Sequence, residues 1–354
     1  MNQQNNKPYN VTIIYDDPPQ RAEVITHAPE TAKEGVEIKK TLAPWQIAVL
    51  FGAVLLLLWA GGAFSWLWGE GKTTATNESG IVPLPKNPFV SVSIEAHAAL
   101  VFDIPKQKVL YAKNEKTQLP LASLTKLMTA LIAEETLSEE NAIAVGKDAI
   151  AEEGDNGLLV GERWRKGDLI ALTLLASSND GAHALASAVE AFQKGNETNA
   201  TSSDAAVSFV GMMNVRAKAL GMNQTYFLNV AGLDVQKNES GAYGSARDVA
   251  ALLEYILRNH PGILGATSFD AMTFTSRDGV AHDAKNTNER TEAIPGLVAS
   301  KTGFTDLAGG NLAVLFEAGP MYPVAVVVLG SSVEGRFSDV EQLVGAALMY
   351  LGQH

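Results

Sequence analysis

The longest apolar stretch of the chain lies near its N-terminus, between Lys40 and Glu70, where no charged residue occurs. At about 1.5 Å per helical residue, residues 43–68 are long enough to cross the hydrocarbon core of a bilayer. Trp45 and Trp68 stand at its two ends, as aromatic residues do at membrane interfaces. A charged leader of about forty residues is too long for a cleavable signal peptide, so the pattern predicts a retained transmembrane helix.

The segments on either side of this stretch are polar. Residues 1–42 are predicted to be a flexible cytoplasmic tail, and residues 69–88, rich in Gly, Thr, Ser and Pro, a linker. Lys39 and Lys40 directly precede the apolar stretch, and the positive-inside tendency places the N-terminus in the cytoplasm. Residues 89–354 are then predicted to form one domain on the outer face of the membrane.

Helical periodicity dominates the middle of this domain. Apolar residues recur at helical spacing in five segments. The first begins directly after Ser123, and the other four cover residues 169–175, 204–220, 246–259 and 339–351. Ser245 is predicted to cap the fourth helix, and Ser338 with Glu341 has the spacing of a capping box for the last.

Extended patterns stand at both ends of the domain. Residues 99–111 predict a first hairpin, and 297–305 a strand that is followed by a second hairpin around Gly319-Pro320. Strands at the ends with helices between them predict an α+β domain, in which helices cover an antiparallel sheet.

Three short motifs carry the candidate chemistry, and each occurs once in the chain. They are Ser123-Leu124-Thr125-Lys126, Ser177-Ser178-Asn179 and Lys301-Thr302-Gly303. Together they supply a nucleophilic hydroxyl, an amine base, a second hydroxyl and an anion-binding lysine. This set suffices for acyl transfer without histidine, cysteine or a metal ion.

The first motif places a lysine near a serine on one helical face. Ser123 and Lys126 are three residues apart and can therefore meet. Lys126 has Ala122 and Ala130 four residues away on either side, so it lacks a carboxylate partner on its own helix. Burial on an apolar helix disfavours a charged amine, and a neutral amine is what a general base requires.

The motifs and their surroundings resemble the penicillin-recognising serine acyltransferases. Within these they resemble the low-molecular-weight penicillin-binding proteins that are serine-type D-alanyl-D-alanine carboxypeptidases (peptidase family S11). The similarity extends over residues 89–354. Besides the motifs themselves it rests on the first hairpin and on the segments 120–130, 217–222, 225–227, 245–248 and 300–309. In one departure from the family pattern, Ser178 stands where glycine is usual.

The resemblance implies a role for each catalytic motif residue. Ser123 would be the nucleophile and Lys126 the base that takes its proton. Ser177 would relay a proton to the leaving amine. Asn179 would hold the substrate's peptide and orient Lys126.

Five further residues would bind the substrate by the same resemblance. Lys301 and Thr302 would bind the terminal carboxylate, and Gly303 would let the substrate backbone approach closely. The backbone N–H of Phe304 would be the second donor of the oxyanion hole. Arg336 is the candidate for a further carboxylate contact.

The implied reaction is removal of the terminal D-alanine from peptidoglycan stem peptides ending in D-Ala-D-Ala. It would pass through an acyl-enzyme on Ser123, which β-lactams would also form. The implied fold is β-lactamase/DD-peptidase-like, with a helical subdomain besides the covered sheet. This substrate lies outside the bacterial cytoplasmic membrane, where the charge pattern also places the domain. No cofactor is implied.

Other activities stay open at this point. A DD-endopeptidase would use the same residues on peptide cross-links. A β-lactamase would need fast deacylation, often from a water positioned by glutamate, and no motif selects among Glu152, Glu153 and Glu162. A non-catalytic wall-binding module has no need of an activated nucleophile, so the complete motif set disfavours it.

Composition excludes several further classes. The chain has no cysteine, which removes thiol catalysis and disulfides, and its six histidines show no metal-ligand spacing, so no metal is predicted. With 27 Lys and Arg against 39 Asp and Glu, the net charge of −12 argues against a nucleic-acid partner. A carboxylate substrate would then need a local positive focus, which Lys301 and Arg336 supply.

Overall fold

The computed structural model describes residues 87–353, except for residues 152, 155, 156 and 197–207. The predicted tail, the predicted transmembrane helix and nearly all of the predicted linker lie outside the described residues. Among the residues that are described, no helix has both the length and the apolar character needed to cross a membrane.

The described residues form strands at both ends and helices in the middle, as predicted. The strands are Ala98–Asp103 (β1), Lys108–Lys113 (β2), Leu119–Pro120 (β3), Ala142–Ala144 (β4), Arg163–Arg165 (β5), Tyr226–Phe227 (β6), Ala242–Gly244 (β7), Ala271–Thr275 (β8), Ala281–Lys285 (β9), Leu297–Thr305 (β10), Gly309–Glu317 (β11) and Pro323–Ser331 (β12). The α-helices are Lys126–Thr136 (α1), Lys147–Ile150 (α2), Lys166–Leu175 (α3), Asn179–Asn196 (α4), Phe209–Ala219 (α5), Ala246–Asn259 (α6) and Gly335–Leu351 (α7).

A five-stranded antiparallel sheet joins the two ends of the domain. Its strand order is β10-β11-β12-β1-β2, so the N-terminal hairpin pairs with the C-terminal strands through β1 and β12. The short strands β3, β7 and β6 form a second sheet, while β4–β5 and β8–β9 are separate two-stranded sheets. Strand β10 is an edge strand of the large sheet, so one of its sides has no strand partner.

Both faces of the large sheet are covered, which explains why its strands are apolar at nearly every position. In β12, Val324, Val326 and Val328 contribute to a core that includes α7. The alternate residues of the same strand, Val327 and Leu329 among them, contribute to the core formed with the other helices. This alternation follows from the two-residue period of a strand. The predicted antiparallel sheet covered by helices is confirmed.

Helix α1 is the centre of the helical part. Each residue from Lys126 to Ala133 is buried, so no face of this part of the helix is open to solvent. Helices α3, α4, α5 and α6 all contribute to the core that surrounds it. A lysine at the first position of such a helix is therefore placed where water is excluded.

Several helix starts differ from the prediction. Helix α7 begins at Gly335, four residues before the predicted start, because Arg336 N–H already bonds to the Ser332 carbonyl. The predicted capping box does not form, since the Ser338 hydroxyl donates instead to the Gly335 carbonyl. Helix α3 begins at Lys166, three residues before the predicted start at residue 169. Helix α5 is described from Phe209, and residues 204–207 lie outside the described part.

Candidate active site

The nucleophile segment is a tight turn before α1. Ser123 lies in a 3₁₀ helix, Ala122–Thr125, so the helix that was predicted after it starts three residues later, at Lys126. Ala122 has a φ of 47°, a left-handed conformation that costs energy for any residue but glycine. Gly232 packs on it so closely that a Cβ there would lie 1.9 Å from the Ala122 carbonyl oxygen. The surrounding chain thus holds Ser123 in a strained and well-defined turn.

Lys126 contacts Ser123 directly. Its Nζ lies 2.8 Å from the Ser123 Oγ and 3.0 Å from the carbonyl oxygen of Ala231. The lysine is completely buried, and burial lowers the pKa of its amine to about 7. A large part of the amine is therefore neutral near pH 7, so it can accept a proton from the hydroxyl.

A second serine–lysine pair lies opposite the first. The Lys301 Nζ is 2.8 Å from the Ser177 Oγ and also donates to the Thr302 carbonyl at 3.0 Å. Burial holds the pKa of Lys301 well below its ordinary value, and the nearby charges of Lys126 and Arg336 lower it further. Ser177 itself has a φ of 58°, so the candidate site contains a second left-handed residue besides Ala122.

The turn of the second motif is fixed by capping. The Ser178 hydroxyl is buried and accepts the Gly181 N–H at 2.9 Å, which satisfies a free donor in the first turn of α4. Asn179 is the first residue of that helix, and its Nδ2 donates to the Glu153 carbonyl at 2.5 Å. Serine in place of the usual glycine therefore serves as the N-cap of the helix that presents Asn179.

The third motif lies on the edge strand β10, beside the nucleophile turn. Lys301 and Thr302 are buried, whereas Phe304 is about half exposed at 49%. A Cβ at Gly303 would lie 2.9 Å from the Leu121 carbonyl and 3.1 Å from the Ser123 nitrogen. Only glycine lets the strand approach the nucleophile this closely.

Arg336 lies in the first turn of α7 and reaches the same strand. Its Nη1 donates to the Gly303 carbonyl at 3.2 Å, and its guanidinium stacks over the Phe337 ring at 4.7 Å. Partial burial lowers the pKa of Arg336 from its ordinary value, without removing its charge at neutral pH. Lys301 and Arg336 together form a positive focus in an acidic protein, which suits a carboxylate ligand.

The structure thus brings six of the predicted residues to one place: Ser123, Lys126, Ser177, Lys301, Gly303 and Arg336. The contact of Asn179 with Lys126 stays a prediction, since the Asn179 amide bonds to the Glu153 carbonyl.

The structure also adds residues that the sequence analysis missed. Thr287 follows β9, and its Oγ1 is 2.6 Å from that of Thr302. Ala231 supplies the carbonyl that binds Lys126. The sequence held one signal for Ala231. It lies in the run Asn229-Val230-Ala231-Gly232, and Asn and Gly three residues apart are typical of a turn.

The glutamates considered for a deacylating water have other contacts. Glu162 is buried; its Oε1 is 2.7 Å from the His282 Nε2, and its Oε2 accepts the Leu159 N–H at 3.1 Å. Glu153 contributes a backbone carbonyl to Asn179, and Glu152 lies outside the described residues. The described residues contain no group of three or more His, Asp or Glu side chains arranged to hold a metal ion.

A family model described as D-alanyl-D-alanine carboxypeptidase matches residues 84–333. This chain belongs to that family. The resemblance stated from the motifs is therefore confirmed. Most of the described fold, from the first hairpin to the start of α7, comes from the matched residues.

Three of the proteins that match this chain have similar sequence identities to it. D-alanyl-D-alanine carboxypeptidase DacD of Salmonella typhimurium is 31% identical over 71% of this chain, and this chain spans 62% of that relative's length. A D-alanyl-D-alanine endopeptidase of Escherichia coli is 28% identical, over 71% of this chain and 76% of its own. Penicillin-binding protein D2 of Listeria monocytogenes, solved in a cefotaxime-bound form, is 29% identical with a TM-score of 0.57, over 72% of this chain and 98% of its own.

Proposed function

We propose that this family member is a serine-type D-Ala-D-Ala carboxypeptidase that acts on peptidoglycan stem peptides. The observation that carries the proposal is the buried Lys126 amine, 2.8 Å from the Ser123 hydroxyl and with a pKa lowered to about 7. A structural or binding domain has no use for a buried lysine without a salt bridge beside a turn strained at Ala122, because both features cost stability.

Acylation would begin with proton transfer from the Ser123 hydroxyl to the Lys126 amine. The Oγ then forms a bond to the carbonyl carbon between the last two D-alanines. The resulting oxyanion would be held by the backbone N–H groups of Ser123 and Phe304, as the family resemblance implies. Close packing of β10 on the nucleophile turn at Gly303 supports this arrangement.

Collapse of the oxyanion would break the peptide bond and release D-alanine. The leaving amine needs a proton, and Ser177, hydrogen-bonded to Lys301, would relay it. Its hydroxyl would give its own proton to the amine and take up the one that Lys126 received from Ser123, which leaves Lys126 neutral again. Water would then attack the acyl-enzyme with Lys126 as its base, which returns Ser123 to its free form. β-Lactams would acylate Ser123 by the same first step and would be released slowly.

The terminal carboxylate of the substrate would lie against Lys301, Thr302 and Arg336. The two cations face the same stretch of β10, and Thr302 is held by Thr287. Peptides that lack this carboxylate would lose the charge-assisted hydrogen bonds made there. The requirement favours cleavage at a free C-terminus.

The endopeptidase is the second candidate because a relative with that name matches as large a share of this chain. Incubation of the full-length protein with monomeric pentapeptide and cross-linked muropeptides, followed by mass spectrometry, separates the two activities. The carboxypeptidase releases one D-alanine from monomers and leaves dimers intact. Split dimers would make the protein an endopeptidase, and no product of either kind would refute both activities.

We further propose that residues 43–68 anchor the enzyme in the bacterial cytoplasmic membrane, with residues 1–42 in the cytoplasm and the catalytic domain outside. The uncharged run between Lys40 and Glu70 supports the anchor, and the lysines before it support the orientation. The proposed substrate is consistent with this location.

A further inference from the structure

A short turn after β6 is built around one asparagine. The Asn229 Oδ1 accepts the Gly232 N–H at 2.6 Å and lies 3.3 Å from the Ala231 nitrogen. Its Nδ2 donates to the Leu233 carbonyl at 2.8 Å. One half-buried side chain thus fixes the backbone direction over four successive residues.

This turn presents two backbone carbonyls to α1. The Ala231 carbonyl accepts from the Lys126 Nζ at 3.0 Å, and the Val230 carbonyl accepts from the Thr129 Oγ1 at 2.6 Å. Lys126 and Thr129 are three residues apart, on the same face of the helix. The two bonds therefore align the turn along the first part of α1.

The Ala231 carbonyl determines where the lone pair of the lysine can point. A neutral amine has two N–H groups and one lone pair, and a carbonyl oxygen can receive only an N–H. With one N–H directed to Ala231, the lone pair is free to receive the proton of the Ser123 hydroxyl. The same carbonyl stabilises the ammonium that proton transfer creates.

The same segment also reaches the edge strand. The Asp234 Oδ1 accepts the Thr305 hydroxyl at 3.0 Å, and its Oδ2 lies 3.3 Å from the Leu307 nitrogen. Gly232 packs against the Ala122 carbonyl. Residues 229–234 thus contact the nucleophile turn, the base and the end of β10.

We propose that Asn229 is a positioning residue for the general base, because it holds the Ala231 carbonyl where that carbonyl orients the Lys126 amine. The inference rests on the proposed function and concerns its acylation step. Asn229 itself touches neither Ser123 nor Lys126, so it acts entirely through the turn.

Loss of the asparagine has two expected effects. A displaced carbonyl leaves the amine misdirected, and acylation falls by about tenfold to a hundredfold. The ammonium loses an acceptor, so the pKa of Lys126 falls and the acidic limb of the acylation–pH profile moves to lower pH. The charged groups facing Lys126 are Lys301 of β10 and, beyond it, Arg336 of α7, and no carboxylate of the described residues makes a salt bridge to its amine. Neither cation replaces the lost acceptor.

Asn214 provides a matched control. Its Oδ1 accepts the Phe227 N–H at 2.8 Å, and its Nδ2 donates to the carbonyls of Val210 and Phe227. It is half-buried like Asn229, makes the same number of hydrogen bonds, and contacts no residue of the three motifs. Asn214→Ala should lower the melting temperature and leave both the acylation rate and its pH profile unchanged.

The experiment measures the rate of acylation by a fluorescent penicillin from pH 5.5 to 9, using the full-length protein and its variants, with thermal unfolding in parallel. Asn229→Ala should show the slower rate and the shifted limb. Asn229→Asp keeps the acceptor oxygen, so its rate should be closer to wild type. Its negative charge should move the limb to higher pH.

The inference would be overturned if both Asn229 variants kept the wild-type acylation rate and the wild-type acidic limb of the pH profile. It would also be overturned if Asn214→Ala lost as much acylation rate as Asn229→Ala. If Asn229→Ala does not fold, the Asn229→Asp profile decides: a limb displaced to higher pH supports the inference, and an unmoved one refutes it. A wild-type protein that is not acylated at all would refute the proposed function rather than this step.

Discussion

At the scale of single residues, the site depends on where two lysines are buried. Lys126 and Lys301 are each about 1% exposed or less, and each donates to a serine hydroxyl at 2.8 Å. Burial disfavours the charged form of both amines. The sequence predicted this for Lys126 from its alanine neighbours. It gave no comparable signal for Lys301, whose surroundings depend on Ser177, in the turn before α4, and on Arg336 of α7.

The pKa of Lys126 makes the acylation rate depend on pH. The amine takes the Ser123 proton only when neutral, and with a pKa of about 7 its neutral fraction rises as pH passes through 7. The rate of acylation by a β-lactam should therefore rise about tenfold from pH 6 to a plateau near pH 8. Lys126→Met should abolish acylation, and Lys108→Met, on the exposed strand β2, should not. A rate that is constant over this range would contradict the assignment of Lys126 as the base.

At the scale of elements, catalysis needs β10 to lie against the turn that carries Ser123. Gly303 is the contact point, with a virtual Cβ 2.9 Å from the Leu121 carbonyl. Gly303→Ala should push the strand away and reduce acylation by about a hundredfold. Gly345→Ala is the control, because that glycine lies within α7 with no atom near its virtual Cβ. This control should stabilise the fold by about 0.5–1 kcal/mol and keep full activity. Equal activity in the two variants would show that the close approach is unimportant.

The first turn of α4 is stabilised by Ser178, the residue that departs from the family pattern. Ser178→Ala should lower the free energy of unfolding by about 1 kcal/mol, since the Gly181 N–H loses its acceptor. Acylation should fall too, because Ser177 and Asn179 flank the cap. Ser208→Ala removes an equivalent cap from α5, where Ser208 accepts the Gly211 N–H. It should cost similar stability without loss of acylation, as measured by denaturant unfolding and β-lactam labelling. An unchanged stability in Ser178→Ala would refute the capping role.

The boundaries of the helices show which features a sequence pattern predicts and which it does not. Helix α6 begins at Ala246 and ends at Asn259 as predicted, because Ser245 caps it locally and Pro261 follows. Helix α7 begins earlier than predicted, because Phe337 is buried against the sheet and extends the helix. The Asn229 turn had a local signal, but its link to Lys126 joins residues about a hundred positions apart. Local patterns thus predicted the elements, while the contacts between them arise from tertiary packing.

At the scale of the whole molecule, an acidic protein concentrates positive charge at one site. The net charge is −12, yet Lys301 and Arg336 meet around β10. A carboxylate ligand is therefore attracted to this site and repelled by much of the remaining surface. The sequence predicted the two cations of this site but not Thr287, which belongs to no motif.

Deletion tests the proposed anchor. Removal of residues 1–68 should move the protein from the membrane fraction to the soluble fraction and leave β-lactam acylation intact. Removal of residues 1–42 alone should leave it in the membrane fraction, because the apolar stretch remains. Fractionation followed by labelling gives both readouts. Full-length protein in the soluble fraction would refute the anchor without affecting the catalytic proposal.

The most direct test of the central claim is the mass of the full-length protein after incubation with penicillin, followed by peptide mapping. The proposed mechanism predicts one penicilloyl group per chain, attached to Ser123, and none on a Ser123→Ala variant that remains folded. An adduct on any other residue, or no adduct on the wild-type protein, would contradict it.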